Sequence, residues 1–171
     1  MSDMLICVDA LDRPIGSADK LRCHREGLLH QAFSVFLVDG SRILLQRRAL
    51  HKYHSGGLWA NACCSHPRVG ETLPDAVSRR LFEELGVQCD CREIGSFVYR
   101  HRFSPELYEY EYDHVFMGNY QGNVFPNQDE IMEVRWFETD ELLTLMQEKP
   151  DMFASWFITA LPMVLKIRYP R

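Results

Sequence analysis

Leu73, Val77, Leu81 and Leu85 recur at every fourth position, which draws one apolar stripe along a helix. Pro74 suits the first turn of that helix, and Gly86 suits the place just past its last. The chain on either side keeps a different period. Residues 33–38 are apolar and β-branched, Asp39-Gly40 is a hairpin signal, and residues 43–46 resume a strand. Residues 5–8, 59–63, 94–103 and 134–137 also read as strands. From 108 to 120 the alternation is strict, with Tyr108, Tyr110 and Tyr112 facing one way and Glu109, Glu111 and Asp113 the other. Residues 140–147 and 153–167 read as closing helices. A helix set among strands and hairpins specifies an α/β chain, a mixed sheet flanked by helices.

A length of 171 residues suits one domain over 1–171, large enough to bury a core without staples. The net charge of -5 argues against nucleic acid as a partner, because that footprint needs a basic stripe. No apolar run approaches the roughly 18 residues of a membrane span. The opening MSDMLICVDA lacks a basic leader before a long apolar stretch, so a cytoplasmic protein is expected. Six cysteines, Cys7, Cys23, Cys63, Cys64, Cys89 and Cys91, show no C-x-x-C spacing. They read as reduced thiols, not as a disulfide framework or a zinc knuckle.

The chemistry concentrates between Trp59 and Val87. Arg79, Arg80, Glu83 and Glu84 by themselves make two i,i+4 pairs on a solvated helix face. The longer spacing resembles the Nudix box, G-x5-E-x7-R-E-U-x-E-E-x-G-U, with U aliphatic. Glu71, Arg79, Leu81, Glu83, Glu84, Gly86 and Val87 fit it. Ser65 stands in place of its first glycine and Arg80 in place of a glutamate. A cation at position 80 weakens the metal cluster with which Nudix hydrolases attack diphosphates.

Other segments resemble the type I isopentenyl-diphosphate isomerases, a branch of the Nudix superfamily. They are His24-Arg-Glu-Gly-Leu-Leu-His30, Gln46-Arg-Arg-Ala, Lys52, Trp59-Ala-Asn-Ala-Cys-Cys-Ser-His66-Pro, Arg79-Arg80 with Glu84, and Tyr108-Glu-Tyr-Glu-Tyr-Asp-His. With Trp156 the likeness covers most of the chain. It implies a Nudix-like fold and reversible 1,3-allylic isomerisation of isopentenyl diphosphate to dimethylallyl diphosphate. The alternative is a Nudix diphosphohydrolase acting on a nucleotide or other diphosphate.

The same resemblance implies roles. One divalent ion, Mn²⁺, Mg²⁺ or Zn²⁺, is held by His24, His30, His66, Glu109 and Glu111, a donor set that suits such an ion. Cys64 works on one side of the allylic unit and Glu111, with Tyr99, on the other. Trp156 offsets positive charge at a tertiary carbon, worth about 0.5–2 kcal/mol. Lys20, Arg48, Lys52 and Arg80 grip the diphosphate, whose own Mg²⁺ touches Glu84. The segment carrying Lys20, His24 and His30 is expected to serve in a lid that excludes water. His51, His54, His101 and His114 are expected at the surface or in ordinary hydrogen bonds, and Cys63 in the core. The partner is a small isoprenoid diphosphate, and the chain is expected to be a monomer or weak dimer.

Overall fold

A computed structural model describes residues 3–170. The elements in order are β1 (Met4–Val8), β2 (Pro14–Asp19), α1 (Lys20–Glu26), β3 (His30–Asp39), β4 (Arg42–Arg48), β5 (Trp59–Asn61) and β6 (Cys63–Ser65). Then come α2 (Leu73–Leu85), β7 (Arg92–Ser104), β8 (Leu107–Asn119), β9 (Ile131–Glu138), α3 (Thr139–Glu148), a 3-10 turn (Pro150–Met152) and α4 (Ser155–Arg168). This is the expected mixed sheet flanked by helices. Among the described residues, no helix is long and apolar enough to cross a membrane.

Strand β3 is the hub. It runs parallel to β8, with His30 opposite Glu111 and Ser34 opposite Val115. Ser34 is also opposite Cys64 of β6. A residue partnered twice must have one partner on each edge, so β6 and β8 flank β3. The side chains of β3 alternate between two cores. Phe33, Val35 and Leu37 pack with Val77, Leu81 and Leu85 of α2. Phe36 and Val38 pack on the other face with Trp156, Phe157 and Leu161 of α4. A sheet apolar on both faces must be covered on both, and the helices do so.

Helix α2 has the expected punctuation. The Thr72 hydroxyl accepts from the Asp75 amide at 3.3 Å, and Gly86 turns left-handed with φ 64°. That φ favours glycine, and the Gly86 amide closes the helix on Leu81 and Phe82.

One reading changes. The single strand expected over 59–63 is two strands that separate at Ala62. β5 pairs with β4, whereas β6 crosses to β3. The segment expected in a lid is regular structure. Lys20 and His24 lie one turn apart on α1, and His30 starts the hub strand.

Candidate active site

The pocket is lined by side chains from β3, β4, β6 and β8, from α1 and α2, from the loop after β4 and from the start of α4. Glu109, Glu111 and Asp113 are the buried face of β8, while the tyrosines between them are half-exposed. Strand alternation thus turns three carboxyls inward, and such burial requires partners.

Three imidazoles supply part of that partnership. The ligand nitrogens of His24, His30 and His66 lie within 4.8 Å of one another. Nδ1 of His24 faces the Tyr108 carbonyl at 3.0 Å, and Nδ1 of His30 faces the Leu28 carbonyl at 2.8 Å. A carbonyl only accepts, so Nδ1 carries the proton in each ring and Nε2 keeps its lone pair. Nε2 of His30 is buried without a hydrogen-bond partner among the described residues. Oε1 of Glu111 lies 2.9 Å from Nε2 of His66 and 3.6 Å from Nε2 of His30. Burial lowers His24 and His66 to about 4, so both are neutral at pH 7. Burial opposes charge on His30 too, but Glu111 overcomes it and raises that imidazole. Burial would raise Glu111, yet His30 and His66 hold it well below the usual carboxylate range. The unpartnered Nε2 of His30, two more imidazoles close beside it and a carboxylate make a donor set that fits a divalent cation.

Of the five expected ligands, the three histidines form the close-set group and Glu111 borders it. Glu109 lies outside that group but lines the same pocket, with its Oε1 2.5 Å from Nε2 of His54. His54, expected in an ordinary role, is buried in the site. His114 lies off the site, with Nδ1 2.5 Å from Glu93 and Nε2 2.8 Å from Asp12. His51 is exposed, and His101 is half-buried beside Tyr99 and Phe103.

Cys64 lines the same pocket. The Trp156 indole N–H donates to its sulfur at 3.0 Å, and its thiol donates to Asn61 Oδ1 at 3.1 Å. Asn61 is fixed by its own bonds to the Val35 and Cys63 carbonyls at 3.2 and 2.8 Å. Burial raises the Cys64 thiol far above neutrality, so it holds its proton. Cys63 faces the α2 core, fully buried. Trp156 is positioned because the Ala154 amide donates to the Trp59 carbonyl at 2.9 Å, docking the start of α4 on β5. The Arg48 guanidinium sits over the Trp156 ring, 5.1 Å from its centre.

Tyr99 is cross-strand from Glu111, as its strand face requires. Its hydroxyl, however, bonds Ser155 Oγ at 2.6 Å and not the carboxylate. The expected relay to Glu111 is therefore not made in this geometry, because the start of α4 supplies a nearer partner.

Lys20, Arg48, Lys52 and Arg80 all line the pocket. Lys52 and Arg80 share Glu130, with Arg80 at 3.6 Å. Arg80 also pairs with Glu83 at 2.6 Å and with buried Glu84. The free oxygen of Glu84 accepts from Gln46 at 3.1 Å. Arg79 instead clamps Glu71 with two bonds of 2.7 and 2.9 Å, tying the loop before α2 to the helix. Lys20 and Arg48 form no ion pair among the described residues and hold cationic charge over Tyr53 and Trp156.

Sequence reasoning missed His54, Glu130, Gln46 and Asp113 as site residues. Asp113 accepts from the Ser34 hydroxyl at 2.8 Å, and burial pushes its carboxyl well up. The alternation of β8 already aimed Asp113 inward and was the signal available for it. For Glu130, in the connection to β9, no pattern in the sequence marks it.

A NUDIX domain model matches residues 28–157. The chain is 51% identical to the isopentenyl-diphosphate Delta-isomerase of Burkholderia multivorans, over 92% of this chain and 90% of that one. It is 46% identical to isopentenyl-diphosphate Delta-isomerase 2 of Aromatoleum aromaticum, over 98% and 89%. Among solved structures, a Deinococcus radiodurans protein superposes with a TM-score of 0.70 at 19% identity, covering 86% of this chain and 90% of that one. A MutT NUDIX hydrolase from Burkholderia pseudomallei gives 0.66 at 20%, covering 80% and 98%. At such identities these two likenesses speak to the fold alone. The relatives and the domain match together establish that the chain belongs to the isopentenyl-diphosphate Delta-isomerase family, built on the NUDIX domain.

Proposed function

We propose that the chain catalyses the reversible 1,3-allylic isomerisation of isopentenyl diphosphate to dimethylallyl diphosphate. A proton is added to the terminal alkene carbon, and one is removed from the carbon on the far side of the tertiary centre. The observation that carries this reading is a protonated thiol, Cys64, on β6, with a carboxylate, Glu111, on β8, two strands that flank β3. Both line one pocket. A flat allylic unit between them meets a proton source and a proton acceptor without any other cofactor for the carbon chemistry.

The donor set of His24, His30, His66, Glu109 and Glu111 suits Mn²⁺, Mg²⁺ or Zn²⁺. When bound there, such an ion supplies positive charge that sets the proton affinity of its carboxylate ligands. Glu111 holds or accepts the proton at its carboxylate, and Cys64 holds or gives one at sulfur. Trp156 orients the thiol through its indole N–H, and its ring offsets part of the tertiary positive charge. Lys20, Arg48, Lys52 and Arg80 bind the diphosphate of an otherwise acidic protein, and Glu84 is in place to meet the substrate's own Mg²⁺. Tyr99 orients the start of α4 through Ser155 and so serves Trp156.

Diphosphate hydrolysis is the weaker reading. Arg80 replaces a carboxylate of the Nudix box. The test is turnover by Cys64→Ala and Glu111→Gln. Each is expected to lose at least about 100-fold in kcat with unchanged circular dichroism. Normal rates in either variant reject its role, and phosphate release from nucleotide diphosphates by the wild type rejects isomerisation as the sole activity.

A further inference from the structure

Of the pocket-lining side chains on the loop between β4 and β5, residues 49–58, one is buried. The loop's ends are closed by the Arg48 amide on the Leu58 carbonyl and the Gly57 amide on the Arg48 carbonyl, both at 2.9 Å. Its turn is tight. A Cβ on Gly56 would sit 2.5 Å from the Leu50 carbonyl oxygen, so only glycine fits there. Ser55 is left-handed at φ 55°, a conformation that costs a non-glycine residue about 1 kcal/mol or more. Such a cost next to a buried side chain points to a side chain that must be aimed.

That side chain is His54. Its side chain is 2% exposed. Phe103 stacks on its ring at 4.2 Å and 14°, and Trp156 meets it edge-on at 5.7 Å and 85°. Nδ1 faces the Ser55 hydroxyl at 3.1 Å, and Nε2 faces Glu109 Oε1 at 2.5 Å. A carboxylate only accepts, so Nε2 carries a proton and donates it. With both nitrogens engaged and the ring enclosed, His54 has no free atom to offer substrate. It also lies outside the close-set group of His24, His30 and His66.

We propose that His54 is a positioning residue that holds the Glu109 carboxylate for the metal and ties it, through Trp156, to the Cys64 thiol. The proposal rests on the metal-dependent reading of the site. A hydrogen bond to a ligating carboxylate fixes its rotamer, and loss of such an outer partner typically weakens metal affinity about 10–100-fold. The contact with Trp156 gives the same ring a second role, because Trp156 donates to Cys64 at 3.0 Å.

The test separates packing from donation. His54→Phe keeps a ring to stack on Phe103 and removes the donor. His54→Gln keeps an N–H donor and loses the ring. Mn²⁺ affinity is measured by titration without substrate, alongside thermal unfolding in chelator. The expected result is about 10–100-fold weaker Mn²⁺ binding by His54→Phe, with most of the affinity restored in His54→Gln and a cooperative unfolding transition kept by both variants in chelator. Wild-type affinity in His54→Phe, or a loss in His54→Gln that exceeds the loss in His54→Phe, overturns the proposal and leaves the isomerase reading standing. Wild-type protein that binds Mn²⁺ but isomerises nothing overturns the isomerase reading and leaves His54 in its role. Wild-type protein that takes up no Mn²⁺ overturns both.

Discussion

Arg80 departs from the Nudix box, and its replacement by methionine has a calculable cost. Arg80→Met keeps an apolar stem and removes the guanidinium that faces Glu83, Glu84 and Glu130. Glu84, 4% exposed, would retain only Gln46 at 3.1 Å. Stripping one partner from a buried ion pair costs about 3–5 kcal/mol. Arg80 is 18% exposed at its side chain, and Gln46 still donates, so the lower end, about 3 kcal/mol, applies. For a chain of this size that lowers the midpoint by about 6–12 °C. The pH dependence has a definite sign. Burial already raises the Glu84 carboxyl above its ordinary 4.5, and losing Arg80 raises it further. A carboxyl raised by folding destabilises when charged, so the penalty is full at high pH and fades as pH falls toward 4.5. Thermal and urea unfolding at pH 8 and pH 5 measure it. The deficit should be near 3 kcal/mol at the higher pH and clearly smaller at the lower. Arg80→Met/Glu84→Gln should recover most of it. A deficit under about 1 kcal/mol, equal deficits at both pH values, or no recovery in the double variant would refute the reasoning.

Trp156→Phe retains an aromatic ring and removes the N–H that holds Cys64; we expect kcat to fall about 5–30-fold, a loss of about 1–2 kcal/mol, with KM little changed in steady-state assays. In chelator, His24 contributes stability that is complete above its ordinary 6.5 and is lost as pH falls through about 4. His24→Asn should therefore flatten the acid side of the stability curve, and an unchanged slope would show that the imidazole is not buried as a neutral group. Chelation should abolish turnover and lower the midpoint, and Mn²⁺ should restore both; full activity after exhaustive chelation would contradict a metal-dependent site.

Much of the sheet was legible because period reveals burial. The alternation over Tyr108 to Asp113 identified the inward carboxyls before any pairing was known, and the fourfold recurrence in Leu73–Leu85 located α2. Helix α1, KLRCHRE, escaped notice because its seven residues carry too few apolar positions to draw a stripe. Residues 59–63 read as one strand because their composition is continuous. The break at Ala62 is a change of partner, and partners are not written locally. The same distinction governs the site. The histidines and glutamates could be grouped by motif, but Glu109 meets His54 across 55 residues and Tyr99 meets Ser155 across 56. Both contacts depend on where a loop and a helix start dock, which no spacing encodes.

The most direct measurement is solvent labelling during turnover. Wild-type protein with isopentenyl diphosphate and a divalent ion in D₂O should place deuterium in the new methyl group of dimethylallyl diphosphate, and Cys64→Ala should place almost none. Product formed by the wild type at full rate without deuterium would contradict proton addition and removal between the two sides of the pocket.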